Sequence, residues 1–454
     1  MHETKTNNPI ISGVIWKQLL IFFFPIVVGT FFQQLYNTVD AIIVGRFVGK
    51  QALASVGGSA AVLSNLVIGF FTGLSAGATV VISQFCGAGD KKNMQDGLHT
   101  AYASALLFGV MISIIGFFSA SWVLQVMNTP ADVLADSVVY LKIYFCGIIF
   151  TFIYNMGSSI MRAVGDSRRP LIYLIICCFL NIILDLLFVV VFHMGIAGAA
   201  LATLLSQAVS AVLVTKALMT SYHVLKLRLR EIRLHGSLFK SEFKIGLPSG
   251  IQSCLYAITN IIIQTAINGF GTDIAAAWAA YGKLDAIFWT ICGAFGIAIT
   301  TFAGQNFGAQ KYDRVKKSTS ACLLMSLATS FVLVGFLFLA CEPLYHIFTA
   351  DKTVVDIGVW MLRLIIPSYM IFVFIEILSG ALRGIGDVII PTLITLGGVC
   401  LVRVPMALIL TPMTNDVATL IYSYPISWGV TALLLIPYYL YQKKKKLREE
   451  IVVQ

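Results

Sequence analysis

The chain has little charge. Only 11% of its 454 residues are Asp, Glu, Lys or Arg, where a soluble domain carries about 25%. So few charges cannot cover a water-facing surface, which excludes a cytosolic enzyme and a disordered chain. Histidine is also scarce, with six scattered residues, and the nine cysteines form no CxxC and no Cys/His group at metal-ligand spacing. A zinc or redox centre is therefore not expected, and the thiols read as small apolar residues of the spans. No phosphate-binding P-loop is present, so ATP does not drive this chain. The N-terminus lacks a short apolar core followed by a small-residue cleavage site. The first apolar stretch is span-length and reads as an uncleaved anchor.

What the sequence has instead is apolar length. Hydrophobic residues make up 58% of it and the mean hydropathy is +0.88. A spanning helix needs about 20 mostly apolar residues. Stretches of that kind run over 16–44, 53–83, 97–123, 134–160, 171–192, 196–220, 247–269, 275–303, 317–341, 356–381, 390–411 and 417–441. They are continuous rather than alternating, which argues against an outer-membrane barrel. The predicted class is an all-α integral membrane protein with twelve transmembrane helices.

The net charge of +10 reads as topology. With the N-terminus inside, the inner segments hold Lys5, Lys17, Lys91, Lys92, Arg162, Arg168 and Arg169. The middle linker adds Lys216, Lys226, Arg228, Arg230, Arg233, Lys240 and Lys244. Lys311, Arg314, Lys316, Lys317, Arg383, Lys443 to Lys446 and Arg448 follow, whereas the outer loops hold only Arg46, Lys50 and Lys352. Both termini are thus expected in the cytoplasm of a multi-pass plasma-membrane protein. The bilayer, not nucleic acid, is the partner of these charges.

The chain repeats itself. Arg162-Ala163-Val164-Gly165-Asp166 with Pro170 recurs 221 residues on as Arg383-Gly384-Ile385-Gly386-Asp387 with Pro391. Gln84, Gly87 and Ala88 recur at the same shift as Gln305, Gly308 and Ala309, and Leu35-Tyr36 recurs at 220 as Leu255-Tyr256. Each half holds six spans, so the halves share one orientation and form a parallel repeat. The expected division is a six-helix bundle over 1–222, a basic linker over 223–245 and a second bundle over 246–454. The linker's Lys-Leu-Arg-Leu-Arg stretch, 226–230, is expected at the lipid surface. The repeated motif reads as a tight turn in which Gly gives the sharp backbone and Pro opens the next helix. Two bundles joined by a linker suit rocking alternating access better than a channel.

Gln33-Gln34-Leu35-Tyr36-Asn37-Thr38-Val39-Asp40, with Val44-Gly45-Arg46-Phe47-Val48-Gly49 after it, resembles the first-helix signature of the multidrug and toxic compound extrusion (MATE) transporters. The duplicated Arg-x-x-Gly-Asp turn and the 6+6 layout are similar to theirs as well. The resemblance implies a monomeric secondary antiporter without cofactor, not an enzyme. In such a transporter Na⁺ or H⁺ enters and small organic compounds, often cationic and amphiphilic, leave. Lipid-linked precursor flippases belong to the same superfamily and supply the alternative. They would need many cationic groups for a pyrophosphate, and this chain has few in its spans.

Ionisable residues within a span cost several kcal/mol and call for a functional reading. Gln33, Tyr36, Asn37 and Asp40 fall on one helical face of span 1. Asp185 lies in span 5 with Asn181 one turn before it, and Thr203, Gln207 and Ser210 share a face of span 6. Two neighbouring carboxylates without a cation are unfavourable, so such a pair shares a proton or holds Na⁺. The resemblance assigns cation coupling to Asp40, Asn181, Asp185 and Thr203, with Asn37 and Tyr36 beside them. The plainer reading is hydrogen-bonded packing. The second half lacks this pair, because Asp40 corresponds to Asn260, Asp185 to Met406 and Asn181 to Val402. Coupling is therefore expected in the first half only, as in the DinF-like rather than the NorM-like branch, which carries an acid in span 7. Here span 7 offers the uncharged stripe Gln252, Tyr256, Asn260 and Gln264.

Substrate-cleft candidates are Gln34, Gln252, Tyr256, Asn260, Asp285 and Glu376. Lys283, Asp285, Arg363 and Glu376 have cross-helix ion pairing as their plainer reading. Pro25 and Pro248 interrupt helix hydrogen bonding and are candidate hinges. Gly73-Leu74-Ser75-Ala76-Gly77 matches a nucleophile-elbow pattern, but it lies inside a span and reads as small-residue helix packing.

Overall fold

The computed structural model describes residues 8–222 and 225–447, so Lys5, His223 at the start of the expected linker, and Arg448 lie outside the described residues. Among the described residues twelve helices are long and apolar enough to cross a membrane, and the chain is a multi-pass membrane protein. The first six are α1 (Ile15–Phe47), α2 (Lys50–Ala88), α3 (Lys91–Val126), α4 (Ala131–Ala163), α5 (Arg168–Val191) and α6 (Gly195–Thr220). The second six are α7 (Gly236–Asn268), α8 (Thr272–Gly308), α9 (Tyr312–Leu339), α10 (Lys352–Gly384), α11 (Ile389–Thr414) and α12 (Val417–Lys446). No strand occurs among the described residues. Several starts are fixed by side-chain caps: Asp90, Asp351 and Asp416 accept from the N–H groups of Asn93, Thr353 and Ala418.

The repeat is written in the backbone more fully than in the residues. Gly165 and Gly386 both take positive φ, 93° and 81°. In each turn the Gly amide donates to the Arg carbonyl at 2.9 Å, and the Asp amide donates to the carbonyl of the residue before that Arg, Met161 or Leu382, also at 2.9 Å. Each turn aspartate accepts a tyrosine hydroxyl, Tyr222 to Asp166 at 2.7 Å and Tyr438 to Asp387 at 2.8 Å. Other left-handed positions recur too: Gly49 with Gly271, Gly89 with Gln310, and His193 with Asn415. A cross-helix bond repeats as well, from Thr79 Oγ1 to the Ser159 carbonyl and from Thr300 Oγ1 to the Gly380 carbonyl. Each half also has a π-helical turn in its fifth span, over Leu186–Val191 in α5 and over Gly398–Arg403 and Met406–Leu410 in α11.

Two compact units form, Phe24–Gly250 and Met1–Phe23 with Ile251–Gln454. Their borders differ from a division at 222 and 246. Both fall inside continuous helices, within two residues of Pro25 in α1 and Pro248 in α7. Packing, not the linker, sets them. In the Phe24–Gly250 unit, the start of α7 lies against α2 because two glycines make room. A Cβ at Gly77 would stand 2.0 Å from the Glu242 carbonyl oxygen, and one at Gly73 would stand 2.5 Å from the Gly250 nitrogen. These are the glycines of the nucleophile-elbow pattern, and close helix packing is what they do. In the other unit the start of the chain does the equivalent. Phe23 stacks on Phe295 at 4.0 Å, Phe22 meets Phe302 edge-on, and Arg314 Nη2 donates to the Ile10 and Gly13 carbonyls.

The basic linker straps onto the Phe24–Gly250 unit, with Lys226, Arg228, Leu229 and Arg230 left exposed. Leu225 and Leu227 are buried. The Lys226 amide donates to Gln95 Oε1 at 3.0 Å, the Arg228 amide donates to His99 Nε2 at 3.1 Å, and His235 meets Thr100. Burying the two leucines and satisfying the strap's amides on α3 hold it in place.

Candidate functional site

Three helices of the Phe24–Gly250 unit bring polar groups together. α1 supplies Tyr36 and Asp40, α5 supplies Asn181 and Asp185, and α6 supplies Thr203. Asp40 is 8% exposed, while Asn181 and Asp185 are fully buried. The carboxyl groups of Asp40 and Asp185 adjoin each other. The Tyr36 hydroxyl adjoins Asp40 and Thr203. Asp185 is the last α-helical residue before the π-helical turn, which widens the helix where the carboxylate must reach inward.

Hydrogen bonding sets this group apart. Asp40 Oδ1, both Asp185 oxygens and both polar atoms of Asn181 have no hydrogen-bond partner among the described residues. Buried polar groups are normally satisfied, and an unpaired one costs about 1–3 kcal/mol. Facing carboxylate oxygens cannot bond to each other without a proton or a cation between them. The cluster thus groups buried oxygens and an amide whose hydrogen bonding is incomplete among the described residues.

Not every residue of the span 1 face takes part. Gln33 and Asn37 are exposed, Tyr36 is half-buried and only Asp40 is buried. The face turns gradually from open space to core along the helix. Gln34 is exposed too, in the same unit. Sequence reasoning missed Tyr140 of α4, which is 8% exposed and adjoins both acids. Its one signal was Tyr144 a turn later. It also missed Glu242, a buried carboxyl whose Oε1 has no partner among the described residues. Span 7 was expected to begin at 247, but the helix begins at Gly236.

The other cleft candidates lie in the second unit. Gln252 and Tyr256 are half-buried neighbours, and Tyr256 is also near Glu376 and Arg403. Asn260 is exposed. Cross-helix ion pairing of the inner charges does not form among the described residues. Asp285 accepts from Trp289 Nε1 at 2.6 Å and from the Tyr369 hydroxyl. Arg363 lies over the Phe338 ring, and Lys283 is exposed. Neutral donors serve Asp285 and a ring face serves Arg363. Glu376 lies against Gly296, where a Cβ would stand 2.1 Å from its Oε1.

The MatE family model matches residues 25–187 and again 248–409, one match in each half of the repeat. The chain belongs to the MatE family of membrane transporters. The family consists of transporters, not enzymes. The chain is 27% identical over 440 residues to the probable multidrug resistance protein YoeA of Bacillus subtilis, covering 95% of each chain. It is 32% identical over 311 residues to YpnP of the same organism, also described as a probable multidrug resistance protein, covering 67% of this chain and 68% of that one. Among solved structures it matches a multidrug resistance MATE transporter in an outward-facing conformation with a TM-score of 0.90 at 20% identity, over 98% of this chain and 100% of that one. These relatives lend no support to the lipid-linked flippase alternative.

Proposed function

We propose that this MatE protein is a secondary antiporter that exports small organic compounds, often cationic and amphiphilic, in exchange for H⁺ or Na⁺. Asp40 and Asp185 take the coupling cation, and Asn181, Thr203 and Tyr36 complete its oxygen shell. One observation carries this reading: two adjoining buried carboxyls and a buried amide, with Asp40 Oδ1, both Asp185 oxygens and both Asn181 polar atoms making no hydrogen bond among the described residues. A proton shared between the acids, or a Na⁺ held by them, removes the like-charge repulsion and satisfies the orphaned oxygens.

Coupling then follows from linkage. If the cation prefers one conformation of the Phe24–Gly250 unit and the exported compound the other, each expels the other across a cycle. Pro25 lies 15 residues before Asp40 on the same helix, beside the border between units. It lacks the N–H that would stiffen α1 there, so a change at Asp40 can bend the helix at that point. Pro248 holds the corresponding place in α7. The basic flanks support a plasma-membrane protein with both termini cytoplasmic, acting as a monomer.

The deciding experiment is efflux of a fluorescent cation from proteoliposomes under an imposed Na⁺ gradient and then under a pH gradient. Export driven by one gradient and lost in Asp40→Asn supports the reading. Export that continues at the normal rate in that variant overturns it.

A further inference from the structure

The second unit carries a buried cation with no acid to neutralise it directly. Arg403, at the end of a π-helical turn in the middle of α11, is 4% exposed. Its Nε and Nη2 both donate to one acceptor, Ser427 Oγ, at 3.2 and 2.9 Å. Its guanidinium lies over the Tyr424 ring at 4.1 Å and near Trp428 at 5.5 Å. Among the described residues it makes no ion pair within salt-bridge distance. Arginine at this depth is costly, and a single hydroxyl does not use its five donors. The ring contacts and Ser427 instead hold the plane of the fork fixed.

Around it lie polar and aromatic side chains, most of them buried, with Trp289 the exposed one. Tyr256, Tyr281 and Asp285 are its further polar neighbours. Trp289, Phe372 and Trp428 gather beside it, with ring centroids 4.5 Å apart for Trp289–Phe372 and 5.5 Å apart for Phe372–Trp428. Gly282, Asp285, Trp289 and Gly293 share one face of α8. A Cβ added at Gly282 or Gly293 would meet nothing within 4 Å, so this face looks onto open space. A fixed guanidinium, flat ring faces and a carboxylate are thus grouped in one unit.

Building on the export reading above, we propose that Arg403 anchors a carboxylate on the transported compound. The second unit then selects zwitterionic aromatic molecules, with the carboxylate on the Arg403 fork, the ring among Trp289, Phe372 and Trp428, and the amine toward Asp285. A planar fork matches a carboxylate with two parallel bonds, which no neutral side chain reproduces. The mixed charge excludes a plain anion, which would meet Asp285 unfavourably, and ranks a plain cation below a zwitterion.

The test uses two forms of one xanthene dye, the free carboxylate (a zwitterion) and its ethyl ester (a cation), with the full-length protein in proteoliposomes. The wild type is expected to show a lower KM for the carboxylate form. Arg403→Gln is expected to raise the KM ratio of carboxylate to ester about ten- to a hundredfold. Ser427→Ala, which keeps the charge but frees the fork, is expected to raise it about threefold. An unchanged ratio in both variants, or an equal loss for both dyes, overturns the proposal. If neither dye is transported by the wild type, the export reading fails. The same ratio is then read as equilibrium binding in detergent, by quenching of tryptophan fluorescence, and a ratio insensitive to Arg403 still overturns the proposal.

Discussion

The two halves of this protein share a backbone and differ in what they bury. Gly165 and Gly386 turn alike, Thr79 and Thr300 make the same cross-helix bond, and π-helical turns widen α5 and α11 in the same region. Yet the Phe24–Gly250 unit buries two facing acids, whereas the other has Met406 in place of Asp185 and buries Arg403 one turn earlier. The comparison teaches which features a duplicated membrane scaffold must keep. Turns and close helix approaches hold the spans in register, and any change there propagates. Polar residues facing a cavity are constrained only by what they bind, so the copies can specialise.

The largest break in the comparison is at the acids. Asp40→Asn should cut cation-driven export by about a hundredfold while gel filtration still shows a folded protein. Adding Asn260→Asp, which moves the acid to the matching place in the other half, should not restore it. Restored export would show that the halves are interchangeable. Asp185→Asn should cut export by about tenfold or more and flatten the dependence of rate on the driving ion, since one carboxyl then acts alone.

The next effect is on stability. Gly77→Val drives side-chain atoms into the Glu242 carbonyl and should destabilise the protein by about 3 kcal/mol. Gly335→Ala in α9, where an added Cβ meets nothing within 4 Å, should be neutral or stabilising by up to about 1 kcal/mol. Thermal midpoints in one detergent test the contrast, and equal shifts would remove the packing argument. Smaller still, Pro25→Ala and Pro248→Ala should each slow turnover by about five- to tenfold without lowering the midpoint. A pair of variants with normal turnover would leave the prolines as packing residues.

The smallest effect concerns a cap that only one half has. Asn93 donates to Asp90 from its backbone and side chain, which holds that carboxyl below its ordinary range. The matching position in the second half is Lys311, which makes no side-chain cap. A depressed acid contributes stability above its unfolded-state value and loses it as pH falls through the lower folded one. Acidification through that window should therefore loosen the first turn of α3 but not of α9, as read by hydrogen exchange at Asn93 and Arg314.

Much of the candidate site was legible because membrane residence makes polar residues conspicuous. Asp40, Asn181 and Asp185 stand out against apolar spans, and their burial together is as expected. Asn37 shared their spacing but not their burial, because a helix face does not say where along its length the neighbouring helices close in. Tyr140 was hidden for the opposite reason: a tyrosine in an apolar span has an ordinary packing explanation. Likewise the repeated turn at Gln310 has no glycine to mark it, and only its φ of 57° pairs it with Gly89.

The sequence by itself determined that this chain spans the membrane twelve times, repeats in parallel and keeps its acid pair in one half. Those facts depend on composition, length and offset, which are local or additive. Only the tertiary structure decided where the units part. That border lies inside α1 and α7, because each helix starts against one set of neighbours and ends against another. It also decided that two acids 145 positions apart, Asp40 and Asp185, adjoin with three of their oxygens making no hydrogen bond among the described residues. Which buried groups lack partners depends on every helix packed around them, and no single stretch of sequence holds that information.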